Sequence, residues 1–317
     1  MLTAKSFDPK AISPETARFN AELEQQLKTV PRSDSRPPQA TRDAAERGEG
    51  VRGPIVRLDV AKERRIRGPA GQIPVRILVP DQVKGVYLHI HGGGWVLGRA
   101  HHQDLMLWEI ASTAKVAVVS VDYRLAPEHS YPAGPDDCEA AAVWLARNAR
   151  AEFGTDRLTI GGESAGAHLS AVTLLRMRDK HGFTGFLGAN LTYGAFDLSF
   201  TPSVAGWGDR YLVLDTPLIK WFTGQFVPPE VRRDPDVSPL YARLHNMPPA
   251  LFTVGTLDPL LDDSLFMYAR WLAAGNRAEI AVYPGGVHGF TLWPITIAKQ
   301  ARARIRRFIA QAVAVAK

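Results

Sequence analysis

The chain has 317 residues, 45% of them hydrophobic and 22% charged, with 38 Lys and Arg against 32 Asp and Glu and a formal net charge of +6. That is ample for one large α/β domain with an appended lid; the single cysteine, Cys138, excludes an intramolecular disulfide, and no apolar run reaches the ~18 residues of a membrane span. The N-terminus carries Lys5, Asp8 and Lys10 and no apolar core of a secretory signal, so a cytoplasmic location is expected.

In chain order, Ser13-Pro14 opens a helical pattern with Phe19, Leu23 and Leu27 on one face. The Pro- and charge-rich stretch 31–53 then reads as a linker or loose loop. Apolar runs predict strands at 55–60, 73–79, 86–90, 116–121, 158–162, 186–193, 250–255 and 278–283. The first two are expected to form an antiparallel entry. The later ones alternate with helical patterns at 135–150, 165–180 and 264–274, the rhythm of a mainly parallel sheet covered on both faces. Segment 199–233 breaks this rhythm and carries Trp207, Tyr211, Trp221, Phe222 and Phe226. Near the C-terminus, Lys299 to Arg307 is the densest basic stretch, in a helical pattern with Ile305, Phe308 and Ile309 on its buried side. A solvated helix face explains it, and no nucleic-acid binding is expected. Cys138 falls in an amphipathic helix, where a buried structural thiol is the expected role.

Two glycine motifs carry the chemistry. Gly162-Glu163-Ser164-Ala165-Gly166 has G-x-S-x-G spacing directly after the strand-like run from Leu158. In a nucleophile elbow the strand turns so sharply into a helix that the serine backbone is strained and bulky flanking residues would collide with it. Upstream, His91-Gly92-Gly93-Gly94-Trp95 follows the apolar run 86–90. Bare amides in such a turn suit an oxyanion, which needs donors already aimed at the developing charge. Gly93, Gly94 and Ala165 are the expected donors.

A serine hydroxyl needs a histidine base and an orienting acid. Of nine histidines, His288 lies in a Gly-rich loop just after the last strand pattern, whereas His181 and His245 read as surface or capping residues. The acid falls after the strand 250–255, where Asp258 lies in the loop and Asp262 and Asp263 stand before a helical pattern. Asp is a preferred helix N-cap, so the latter pair read as caps and Asp258 as the acid. Neither a paired Cys/His spacing nor an H-E-x-x-H helix occurs, so neither metal nor cofactor is implied.

These motifs, in this order, resemble the hormone-sensitive-lipase branch of the α/β-hydrolases, esterases that carry an HGGG loop ahead of the elbow. The segment Val121 to His129, Pro135-Asp136-Asp137-Cys138 and Asp258 to Asp263 resemble the family as well, so the likeness runs from about Val86 to His288. Glu163 is a departure, since Asp or Thr is expected before the nucleophile. The resemblance implies an α/β-hydrolase fold over 53–198 and 234–317, with 1–52 and the insertion 199–233 as a cap over the active-site mouth. It implies hydrolysis of small-molecule carboxylic esters with short to medium acyl chains, and a homodimer through the last sheet edge. The aromatic residues Trp95, Trp207, Tyr211, Trp221, Phe222 and Phe290 suggest an apolar acyl or alcohol pocket. An amidase or arylformamidase would use the same triad. A ligand-binding receptor that resembles the family would lack the histidine, which is present here.

Overall fold

A computed structural model describes residues 3–314; the outer ends of the expected domain limits, 1 and 317, lie outside them. In chain order the main elements are α1 (Pro14–Leu27), α2 (Pro38–Glu46), β1 (Lys62–Gly68), β2 (Gly71–Leu78), β3 (Gly85–Ile90), α3 (Asp104–Ala114), β4 (Val116–Val121) and α4 (Ala133–Phe153). They continue with β5 (Leu158–Glu163), α5 (Ala165–His181), β6 (Phe186–Thr192), α6 (Pro202–Gly206), α7 (Thr216–Phe226), β7 (Ala250–Leu257), α8 (Leu261–Ala273), β8 (Ala278–Val287) and α9 (Thr296–Ala314).

The strands form one 8-stranded sheet in the order β1-β2-β4-β3-β5-β6-β7-β8. β2 runs antiparallel to both its neighbours, and every pairing from β4 to β8 is parallel. Parallel strands buried on both faces need apolar residues of either parity, and β4 supplies them as Val-Ala-Val-Val-Ser-Val. Alternate residues feed two cores. Val86, Leu88 and Ile90 pack with Cys138 and Leu145 of α4, Leu169 of α5 and Trp271 of α8, whereas Tyr87, Val116 and Val118 face Leu107 of α3 and Ile305 and Ile309 of α9. Cys138 is fully buried, and burial raises its thiol pKa. Two half-buried arginines of α9 are ion-paired, Arg304 with Glu279 and Arg306 with Glu109.

The strand expected at 55–60 is absent, and the first strand is instead Lys62–Gly68. Side chains hold 55–60 as a loop: the Leu58 amide donates to Asp104 (2.8 Å), and Arg76, paired with Asp104, donates to the Leu58 carbonyl (3.3 Å). β1 is an edge strand whose one buried residue, Ile66, faces Ile73 across a short turn. Nor is 31–53 a loose linker. It contains α2, whose buried Arg42 donates to the carbonyls of Val96 (2.8 Å) and Ala126 (2.7 Å) and to Glu128 (3.0 and 2.8 Å). A guanidinium forked onto two carbonyls and a carboxylate anchors α2 to the 91–98 loop and to the segment after β4. Among the described residues, no helix is long and apolar enough to cross a membrane.

Candidate active site

Four loops at the carboxyl ends of parallel strands converge: 91–98 after β3, the turn after β5, Asp258 after β7 and His288 after β8. Ser164 stands between β5 and α5 with φ 57° and ψ −122°, a strained region for a side-chain-bearing residue. The flanking glycines make room mainly for the neighbouring strand, not for the serine. A β-carbon on Gly162 would lie 2.0 Å from the Ile90 carbonyl oxygen, and one on Gly166 would lie 1.9 Å from the same atom. Gly92 in turn leans on the elbow, where a β-carbon would meet the Glu163 carbonyl oxygen at 2.7 Å.

His288 Nε2 lies 2.9 Å from Ser164 Oγ, and its Nδ1 lies 3.1 and 3.0 Å from the two carboxylate oxygens of Asp258. Asp258 is buried and also accepts the Leu260 amide (2.9 Å). A carboxylate only accepts, so Nδ1 carries the proton and Nε2 presents a lone pair to the serine hydroxyl. Asp262 and Asp263 stand apart from this group and are not helix caps as expected, because α8 begins at Leu261 with Leu260 as its N-cap. Asp262 accepts the Ser203 amide (2.8 Å). Asp263 accepts the amides of Phe196 (2.6 Å) and Asp197 (2.9 Å) and the Thr201 hydroxyl (2.7 Å), and burial pushes its pKa up to about 7. Both tie α8 to the segment entering the insertion.

The amides of Gly93, Gly94 and Ala165 have no backbone partner among the described residues, and the 92–94 loop touches the elbow at Gly92. His91 is buried and stacked on Tyr123 (centroids 4.3 Å apart), with Nδ1 2.8 Å from the Gly92 carbonyl. Burial pushes its pKa down to about 4. Trp95 and Phe290, expected to line a substrate pocket, turn into the core at 5% and 0% exposure. Trp95 stacks on Phe226 (4.7 Å) and donates its indole N–H to His168 Nδ1 (3.0 Å). His168 Nε2 donates to the Val237 carbonyl (2.8 Å), and burial lowers its pKa to about 4. Phe290 packs between Tyr193 and Tyr283. Phe222 lies against the loop, since a β-carbon on Gly94 would meet its ring at 2.4 Å. Trp207, Tyr211 and Trp221 are half-buried on the insertion.

Sequence marked Glu163 only as a departure and missed Arg42 and Arg52. Glu163 is buried, with Oε2 3.1 Å from His89 Nε2, and His89 Nδ1 lies 2.8 Å from Ser120 Oγ, a brace running from the elbow across β3 to β4. Arg42 clamps the 91–98 loop at Val96, as described above. Arg52 is exposed, yet its electrostatic neighbours include Tyr193, Glu163 and Tyr211, and desolvation lowers its pKa. A β-carbon on Gly289 would lie 3.5 Å from Arg52 Nη2. That places the guanidinium beside the loop that carries His288. No local pattern marks Arg42 or Arg52; only Pro38 at the first position of α2 hinted at a helix there.

Residues 87–292 match the family described as alpha/beta hydrolase fold. The chain is 38% identical to the carboxylic ester hydrolase LipN of Mycobacterium tuberculosis over 259 residues, 76% of this chain and 67% of that one. The solved hyperthermophilic esterase of the archaeon Pyrobaculum calidifontis superposes with a TM-score of 0.83 at 31% identity, covering 95% of this chain and 99% of the esterase. A hormone-sensitive lipase from a metagenome library superposes at 0.82 with 25% identity, over 94% and 98% of the two chains. The chain thus belongs to the α/β-hydrolase fold family, in its hormone-sensitive-lipase-like branch.

Proposed function

We propose that this chain is a serine carboxylesterase acting through an acyl-enzyme. The observation that carries the reading is the unbroken hydrogen-bond line Ser164–His288–Asp258, at 2.9 Å and then 3.0 Å, beside three unengaged backbone amides. In this reading His288 takes the Ser164 proton as Oγ attacks the ester carbonyl, and the Gly93, Gly94 and Ala165 amides hold the oxyanion. His288 then protonates the leaving alcohol, and later activates water to release the acid. Asp258 fixes the imidazole tautomer throughout.

The substrate is a small ester with a short to medium acyl chain. The N-terminal segment 1–52 and the insertion 199–233 act together as the cap. Their contacts support this: Arg210 pairs with Glu24 (3.0 Å), and Arg32 pairs with Asp215 (2.6 Å) while lying 4.3 Å over the Tyr211 ring. In this reading Phe222, Tyr211, Trp221 and Trp207 shape the acyl or alcohol site. β8, at the sheet edge, is the face for a homodimer. The test is a panel that varies acyl length and leaving group separately. Nitrophenyl esters of four to six carbons should turn over faster than the sixteen-carbon ester, and esters faster than matched anilides; the reverse on either axis overturns the corresponding part.

A further inference from the structure

Away from the serine, Glu46 at the end of α2 meets His101 and His102 in the turn that leads from the 91–98 loop into α3. Glu46 Oε1 lies 2.8 Å from His102 Nε2 and 3.1 Å from His101 Nε2, and Oε2 lies 3.2 Å from His101 Nε2. The two imidazoles stand edge-on with centroids 4.7 Å apart. We propose that Glu46, His101 and His102 form a binding site for a divalent transition-metal ion of the zinc type, clamping the end of α2 to the base of the 91–98 loop.

The ligand chemistry suits such an ion. Zinc takes imidazole nitrogen and carboxylate oxygen at about 2.0–2.2 Å in a tetrahedron, so its ligand atoms stand about 3.3–3.5 Å apart. Against the carboxylate, His101 Nε2 reaches that spacing by moving about 0.2–0.4 Å and His102 Nε2 by about 0.5–0.7 Å. The histidine side chains are 13% and 20% exposed and Glu46 is 37% exposed, so the site is anchored on one side and open to water on the other for the remaining coordination position.

A cation already occupies the cluster. Arg57 Nη2 lies 3.0 Å from Glu46 Oε2 and 2.9 Å from His101 Nε2. A guanidinium N–H directed at His101 Nε2 needs a lone pair there, which is the neutral, metal-binding form of the ring. The same nitrogen cannot both accept from Arg57 and donate to Glu46, whereas a metal ion would use the lone pairs of both. Arg57 is 55% exposed and free to swing into solvent when the ion enters. The consequence is structural, because α2 also carries Arg42, which holds Val96 in the loop. A bound ion would add a second clamp between the same two segments.

The probe is zinc chloride titrated calorimetrically into the chelator-stripped full chain at pH 7.5. One saturable site in the micromolar range is expected, with a zinc-dependent rise in melting temperature. Glu46→Gln and His102→Asn should each weaken it at least tenfold while leaving the metal-free turnover of a nitrophenyl ester unchanged, and Arg57→Ala should tighten it. Absence of saturable binding, or wild-type affinity in both ligand variants, overturns the proposal; the latter would place zinc on surface histidines such as His129, His181 or His245. Should a variant misfold, cobalt binding to the wild-type chain decides: intense visible bands of a four-coordinate site support the proposal, and a weak octahedral spectrum refutes it.

Discussion

Glu163 sits next to the proposed nucleophile but points away from it, under the elbow, where its carboxylate is the partner of His89 Nε2 (3.1 Å). Glu163→Ala would leave that buried nitrogen without a partner, at a cost of about 1–3 kcal/mol. The vacated space adds to this, for a total of about 2–4 kcal/mol. An unfolding entropy of about 2.1 cal/mol/K per residue, over 317 residues, turns that into a melting-temperature loss of about 3–6 °C. The kinetic effect should fall on kcat, because an elbow no longer braced from β3 misplaces Oγ relative to His288, and a shift of a fraction of an ångström costs about tenfold to a hundredfold. Glu163→Gln keeps shape and an acceptor, so its melting temperature should stay within about 2 °C, a loss under about 1.5 kcal/mol. Scanning calorimetry and steady-state kinetics on a nitrophenyl ester read both effects. Glu163→Ala with wild-type melting temperature and kcat would refute the brace and make Glu163 a tolerated occupant.

Two further outcomes follow from the same geometry. Asp258→Asn should lower kcat by about 10⁴-fold, as the wrong imidazole tautomer does in a serine triad, whereas Asp262→Asn should cost little; equal losses in kcat/KM would show the acid to be misassigned. His91 and His168 are held near a pKa of about 4 by burial, below the unfolded value of about 6.5, so the unfolded chain takes up protons there that the folded chain refuses. Each contribution is fully present above pH ~6.5 and is lost as pH falls toward about 4, on the order of 3 kcal/mol apiece. Urea melts between pH 7 and 5 should show this loss, with a shallower slope in His168→Gln; an unchanged slope would contradict it.

What was legible in the sequence was what the chemistry demands locally. The elbow and the 91–94 loop need particular residues at fixed spacing, and His288 and Asp258 follow strand patterns that the sheet reproduces. What stayed hidden depends on direction and on distant partners. Trp95 and Phe290 sit in the right loops, but a linear pattern does not say that a side chain turns inward to His168 or to Tyr193. β1 carries only Ile66 toward the core, so an apolar scan passes over it; the Gly68-Pro69-Ala70-Gly71 turn was the available signal, since a tight turn into β2 requires an antiparallel partner before it. The Pro- and charge-rich stretch 31–53 reads as a linker or loose loop, yet Arg42 spends its guanidinium on Val96, Ala126 and Glu128. Glu163 finds its reason only in His89, one strand away and 74 residues earlier.

If Ser164 is the nucleophile and His288 its base, an active-site phosphonylating reagent must react at Ser164 and depend on His288. Intact-mass and peptide analysis after treatment with a fluorophosphonate probe should find a single adduct on Ser164, none in Ser164→Ala, and labelling slowed by orders of magnitude in His288→Ala. An active enzyme that stays unlabelled, or an adduct on another residue, would contradict that assignment.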